Sequence, residues 1–130
     1  MSDTKQARFE CCDPILRVEN MTAAVRYYVE VLGFTPASWG DDNFTCVNRD
    51  RAGIYICKGN QGHTGTWVWI GVTDVEKLYE ELKAKGAKIR QEPTNYPWAL
   101  EMHVEDPDGN ILRIGSDPKQ DRPYSAWQSQ

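Results

Sequence analysis

The strongest constraint on this chain is that it repeats itself at one fixed spacing. Val18 and Val72, Asn20 and Asp74, Met21 and Val75, Ala24 and Leu78, Val25 and Tyr79, and Tyr28 and Leu82 all stand 54 residues apart. Each copy opens with a strand-like run, Ile15, Leu16, Arg17 and Val18 in the first and Trp67, Val68, Trp69, Ile70, Gly71 and Val72 in the second. A helix-capping residue follows, Asn20 or Asp74, and then an apolar stripe at helical spacing: Met21, Ala24, Val25, Tyr28 and Leu32, or Val75, Leu78, Tyr79 and Leu82. Gly33 and Gly86 end the stripes. A strand, cap and helix repeated together imply two copies of one supersecondary unit.

After each helix the text turns strand-like, at residues 34–39, 44–48 and 54–58 in the first half and 88–91, 100–105 and 111–115 in the second. Each half is therefore expected to be βαβββ, giving an α+β fold. The last hairpins correspond as well, with Asp50, Arg51, Ala52 and Gly53 answering to Asp106, Pro107, Asp108 and Gly109 at a spacing of 56. Both turns are read as structural. The modules are placed at about 9–58 and 66–116 of a single domain covering 1–130. A Gly-rich linker at 59–65 joins them, and residues 117–130 form a tail whose Tyr124 and Trp127 can dock on a neighbouring surface.

Composition narrows the partners. Hydrophobic residues make up 40% and charged residues 26%, the balance of a folded globular chain. No run approaches the roughly 20 apolar residues of a membrane helix, and Met1 to Arg8 lacks the apolar stretch of a signal peptide. The expectation is a cytoplasmic protein with no membrane partner. The net charge of −4 and the scattered basic residues argue against nucleic acid, which is bound mainly by Lys and Arg neutralising phosphates. Of the four cysteines, Cys11 and Cys12 are adjacent and Cys46 and Cys57 stand alone, so no CxxC pair suggests zinc or redox chemistry.

Pro14 to Met21, Tyr27 with Tyr28, and Val31 to Phe34 resemble the first module of bleomycin-resistance proteins. Val72 to Val75, Leu82 to Ala87, Pro97 with Trp98, and Asp106 to Asn110 resemble the matching stretches of the same glyoxalase/bleomycin-resistance (vicinal oxygen chelate) superfamily. The resemblance spans roughly residues 10–117. It implies two βαβββ units forming a curved mixed sheet around a ligand cleft, with helices outside, often in a homodimer. It does not imply one activity, since the superfamily includes isomerases, dioxygenases, thiol transferases, epimerases and antibiotic-binding proteins.

In metal-dependent relatives the resemblance implies a His on each module's first strand and a Glu on its final strand. The corresponding positions, five residues before Val18 and Val72 and four after Gly53 and Gly109, are Asp13, Trp67, Cys57 and Arg113. Trp has no suitable lone pair and Arg carries a fixed positive charge, so this set is not expected to hold a divalent metal. No cofactor is expected.

Aromatic content is the remaining signal. Trp67 and Trp69 share one strand face, a wall on which a planar or cationic ligand can stack. Tyr55, Cys57, Asp13, Trp98 and Arg113 are expected nearby, and the indoles alternatively fill the core or a dimer contact. Glu101 and His103 share a face of their strand, as a proton-transfer pair or as an ordinary polar pair. The leading expectation is a metal-independent, homodimeric binding protein of the antibiotic-resistance type that sequesters its ligand unchanged. The alternatives are a lyase or isomerase using Glu101 and His103, or a metal recruited through Asp13 and Glu101, and an interaction module with a vestigial cleft.

Overall fold

The computed structural model describes residues 6–127 as two βαβββ modules. The first runs β1 (Ile15–Arg17), α1 (Met21–Arg26), a π-helical turn (Tyr27–Val31), β2 (Thr35–Pro36), β3 (Phe44–Arg49) and β4 (Ala52–Cys57). The second runs β5 (Trp67–Gly71), α2 (Val75–Ala84), β6 (Lys88–Asn95), β7 (Leu100–Glu105) and β8 (Ile111–Ser116). Strand order is the same in both, β1-β4-β3-β2 and β5-β8-β7-β6. The first strand of each module lies parallel to the last, and the other neighbours are antiparallel. This is the α+β architecture expected from the repeat. Both caps form: Asn20 Oδ1 accepts from the Ala23 N–H at 2.9 Å and Asp74 Oδ1 from the Lys77 N–H at 3.0 Å.

Local structure departs from the sequence pattern at four places, each with a physical reason. The first helix stops being α at Arg26 and widens into the π turn, where the Leu32 N–H reaches back to the Tyr27 carbonyl. β2 shrinks to two residues, because Pro36 has no N–H to extend the ladder and sits on the sheet edge. β6 runs on to Asn95, crossing two register shifts against β7. The final hairpins differ in length: Arg49 pairs with Ala52 across a tight turn with Asp50 at φ 50°, whereas Glu105 pairs with Ile111 across residues 106–110. That longer loop is tied by Asp106, whose carboxylate accepts from the backbone N–H groups of Asp108 and Asn110.

The difference in turn length changes which residues correspond. Val18 bonds to the Cys57 carbonyl as Val72 bonds to that of Gly115, so Cys57 answers to Gly115 and Tyr55 to Arg113. The final strands therefore do not keep the spacing of 56 seen at the turn, and Cys57 lies two residues beyond the true equivalent of Arg113.

One core serves both modules. Leu16, Val47, Ile54 and Ile56 of the first sheet join Met102, Val104, Leu112 and Ile114 of the second, with Met21, Ala24, Tyr28, Val75 and Leu82 from the helices. The π turn stitches the modules together. Tyr27 Oη donates to the Glu105 carbonyl at 2.8 Å and accepts from the Lys88 N–H at 3.0 Å. Buried Tyr28 donates to Asp106 at 2.9 Å. Burial, with the nearby Asp106 charge, pushes the Tyr28 phenol well above its ordinary range and keeps it a donor. Arg49 forks onto Glu81 at 2.8 and 3.0 Å.

Tyr28→Phe removes the phenol from this junction while leaving Asp106 its other donors. The expected loss is about 1 kcal/mol, read as a lower urea midpoint at unchanged slope.

Candidate ligand-binding site

Strand alternation puts the core on one face of each sheet and a polar and aromatic set on the other. On the second sheet, Trp69 of β5, Arg113 of β8, His103 of β7 and Gln91 of β6 form one row across the strands. Gly71, Gly115, Glu101 and Thr94 form the next. The two glycines leave room for an indole to lie flat across the sheet. A Cβ on Gly115 would stand 2.6 Å from Trp69 Cη2, a separation that no side chain could accept without moving the ring.

At the centre is Glu101, with none of its surface exposed. Its carboxylate receives Arg113 Nε at 2.7 Å and Nη2 at 3.2 Å, Trp98 Nε1 at 2.7 Å and His103 Nε2 at 2.8 Å. Burial alone would raise the Glu101 pKa. The donors from Arg113, His103 and Trp98 outweigh it and hold the group below the ordinary carboxylate range. With Glu101 ionised, His103 Nε2 carries the proton and donates, so the pair is a bound carboxylate and its donor. A carboxylate whose pKa is lowered is a weaker base than a free one.

The rings are arranged around this network. Trp67 meets His103 edge-on at 5.3 Å, with the Arg90 guanidinium 5.8 Å from the Trp67 ring centre. Arg113 lies between two indoles, 5.8 Å from Trp69 and 4.8 Å from Trp127. Trp98 stacks parallel on Tyr96 at 4.7 Å. Trp67 and Trp69 nevertheless remain 47% and 52% exposed, a large apolar area for a strand to leave in water.

Six of the sequence-derived candidates thus come together on this sheet: Trp67, Trp69, Trp98, Glu101, His103 and Arg113. Tyr55 and Cys57 belong to β4 of the first sheet, and Asp13 precedes β1 of the same module. There Tyr55 stacks with Phe44 at 5.5 Å and Phe44 with Trp39 at 6.3 Å, a second aromatic platform. Cys57 is buried, and Asp13 lies over Gly53 with its carboxylate oxygen 3.4 Å from where a Cβ would stand. Both platforms face away from the shared core, and among the described residues no ring contact, hydrogen bond or ion pair in the chain links one to the other. A groove of about 860 Å³ lies between the modules, lined by core-side residues such as Leu32, Ile54, Val68 and Leu82 and reached by Asp13 and Trp69 of the candidates.

Trp39, Phe44 and Tyr96 are not among the sequence-derived candidates, and the tail's Trp127, expected to dock on a neighbouring surface, docks on this one. The one signal for Tyr96 was its spacing of two from Trp98, and Trp127 reaches the site only because the tail folds back.

The positions at which the family holds metal do not fit a divalent ion here. In structural register they are Asp13, Tyr55, Trp67 and Arg113, which is one carboxylate with a phenol, an indole and a cation. Among the described residues, no three His, Cys, Asp or Glu side chains gather into a possible metal site. Asp13 precedes β1 in the first module whereas Glu101 is on β7 of the second, and Glu101 is already saturated.

Two βαβββ units of identical strand order define the glyoxalase-type class of fold. The family model described as the Glyoxalase/Bleomycin resistance protein/Dioxygenase superfamily matches residues 8–114, and the chain belongs to that superfamily. No curated protein matches the sequence. Among solved structures, the chain is similar to the bleomycin-binding protein from bleomycin-producing Streptomyces verticillus, in its complex with copper(II)-bleomycin. That likeness has 25% identity and a TM-score of 0.69, covering 85% of this chain and 98% of that one. It shares its fold with TnmS3, an antibiotic binding protein from Streptomyces sp. CB03234, at 19% identity and a TM-score of 0.74, covering 86% and 98%. A glyoxalase/bleomycin resistance protein/dioxygenase from Nocardioides matches at 18% identity and a TM-score of 0.68, covering 95% and 93%. No helix among the described residues is long and apolar enough to cross a membrane.

Glu101→Gln weakens the charge pairing of Arg113 and is expected to cost about 2 kcal/mol, less than a fully buried pair because Arg113 keeps part of its side chain in solvent. Because folding depresses the Glu101 pKa, the native advantage over E101Q is complete above the unfolded value near about 4.3. It shrinks as pH falls through the lower folded value. Urea titrations of both forms between neutral and acid pH read this directly.

Proposed function

We propose that this protein binds a planar, aromatic antibiotic-type ligand on the Trp67 and Trp69 face and sequesters it unchanged, without a metal. The observation that carries this reading is the pair of half-exposed indoles at and beside a position where metal-dependent relatives hold a ligand. Next to them stands an arginine already neutralised by a buried glutamate. The likeness to a bleomycin-binding protein supports the same reading.

The site favours a flat ring over a cation. Arg90 lies over Trp67 and Arg113 over Trp69, so the protein's own guanidinium groups take the cation positions on both indoles. A proton-transfer role for Glu101 and His103 is disfavoured, because the carboxylate is saturated and His103 is only 3% exposed.

The binding unit is a homodimer in this proposal. Each platform is half a cleft, β1 and β5 are edge strands, and Ile15, Trp39, Trp67 and Trp69 all remain exposed in the single chain. A second copy that brought the Tyr55 platform opposite the Trp67 face would cover all of them. A cytoplasmic location fits this role.

Titration with metal-free bleomycin in EDTA, followed by tryptophan fluorescence, is expected to give saturable binding that Trp69→Ala weakens about tenfold. Absence of any response would reject bleomycin as the ligand, and binding that requires an added cation would overturn the metal-independent reading. Sedimentation equilibrium is expected to return a dimer, and a monomer at high protein concentration would remove the second half of the cleft.

A further inference from the structure

The segment after β8 folds back along the second module, with Asn95 as its main anchor, whose Nδ2 also lies 3.5 and 3.4 Å from the Arg122 and Pro123 carbonyls. Asn95, at the end of β6, holds Lys119 from both sides: its Nδ2 donates to the Lys119 carbonyl at 2.9 Å, and its Oδ1 accepts from the Lys119 N–H at 2.8 Å. The Asn95 carbonyl accepts from the Ser125 N–H at 2.7 Å. Arg122 forks onto Glu76 of α2 at 2.7 and 3.1 Å, both side chains being over two-fifths exposed. An ion pair so open to water holds a segment weakly.

This strap delivers Trp127 to the ligand face. Its ring lies 4.8 Å from the Arg113 guanidinium, 5.6 Å from His103, 5.7 Å from Tyr96 and 6.3 Å from Trp98. The indole stays 41% exposed, so its apolar surface is covered only in part. It lies against a guanidinium whose charge Glu101 already balances, an arrangement that suits any flat ring and needs no countercharge. The result is an imidazole sealed at 3% exposure between Trp67 and Trp127.

We propose that Tyr96, Trp98, His103 and Arg113 form a subsite for a planar aromatic ring, that Trp127 of the C-terminal strap fills it in the free protein, and that ligand enters by displacing the strap. The proposal rests on reading this face as the binding site and names the group the site accepts, for which the chain's own indole is the stand-in. A strap that is open about one tenth of the time lowers apparent affinity about tenfold relative to a chain without it. Ligand therefore competes with an intramolecular ring, and flat ligands large enough to cover Arg113 compete best.

The test has one arm that needs no ligand. Diethyl pyrocarbonate modifies accessible imidazoles, and exposed His63 serves as the internal reference. In the full chain His103 is expected to react far more slowly than His63. Trp127→Ala is expected to raise the His103 rate about tenfold, and Arg122→Ala, which loosens the strap without touching the subsite, to raise it by less. In the second arm, calorimetric titration with anthraquinone-2-sulfonate is expected to give about tenfold tighter binding to Trp127→Ala than to the full chain. Unchanged His103 reactivity in both variants, or weaker binding by Trp127→Ala, overturns the proposal and makes the indole a fixed wall. Faster His103 modification with no binding to any form supports the strap as a cover and rejects the ligand site beneath it.

Discussion

The Glu101 carboxylate is the interaction on which the ligand face depends. It is an anion with no exposed surface, kept ionised by four donors from three side chains. Those donors fix the orientation of Arg113, His103 and Trp98 at once, and through them the positions of the rings that pack on each. An unpaired buried charge would be strongly destabilising, so the network forms as a unit. Here a fixed internal cation stands in the second module's final strand, and its charge is balanced before any ligand arrives.

Packing explains why the face is left open. The two modules use their other faces to build one shared core, joined by the π turn, by Tyr27 and Tyr28, and by Arg49 with Glu81. That junction turns both aromatic platforms outward, leaving tryptophans in water on an otherwise ordinary strand. Exposed aromatic area of this kind is costly to keep unless something covers it. The strap covers part of it in the free chain, and in the proposed function a ligand and a second subunit cover this face.

The legibility of the sequence varied with the range of the interactions involved. Asn20 and Asp74 cap their helices as their identity suggests, because a cap is a contact between residues three apart. The face shared by Trp67 and Trp69, and that shared by Glu101 and His103, follow from strand alternation alone. The Cys57 position was not legible, because the register of β4 depends on a turn two residues long in one module and five in the other. Trp127 was not legible as part of the site either, since its place depends on Asn95 gripping a strand-free segment more than twenty residues away.

The sequence by itself determined the duplicated unit, the α+β class, the helix caps and the chemistry of the side chains on each strand face, since all of these depend on local spacing and on residue type. Tertiary structure alone decided which of those faces became core, that Glu101 is saturated and not free, that Tyr55 and Arg113 are equivalent, and that the tail lies over Arg113. Those outcomes depend on contacts between residues far apart in the chain, and hydrophobic periodicity is the same whichever partner finally covers a face.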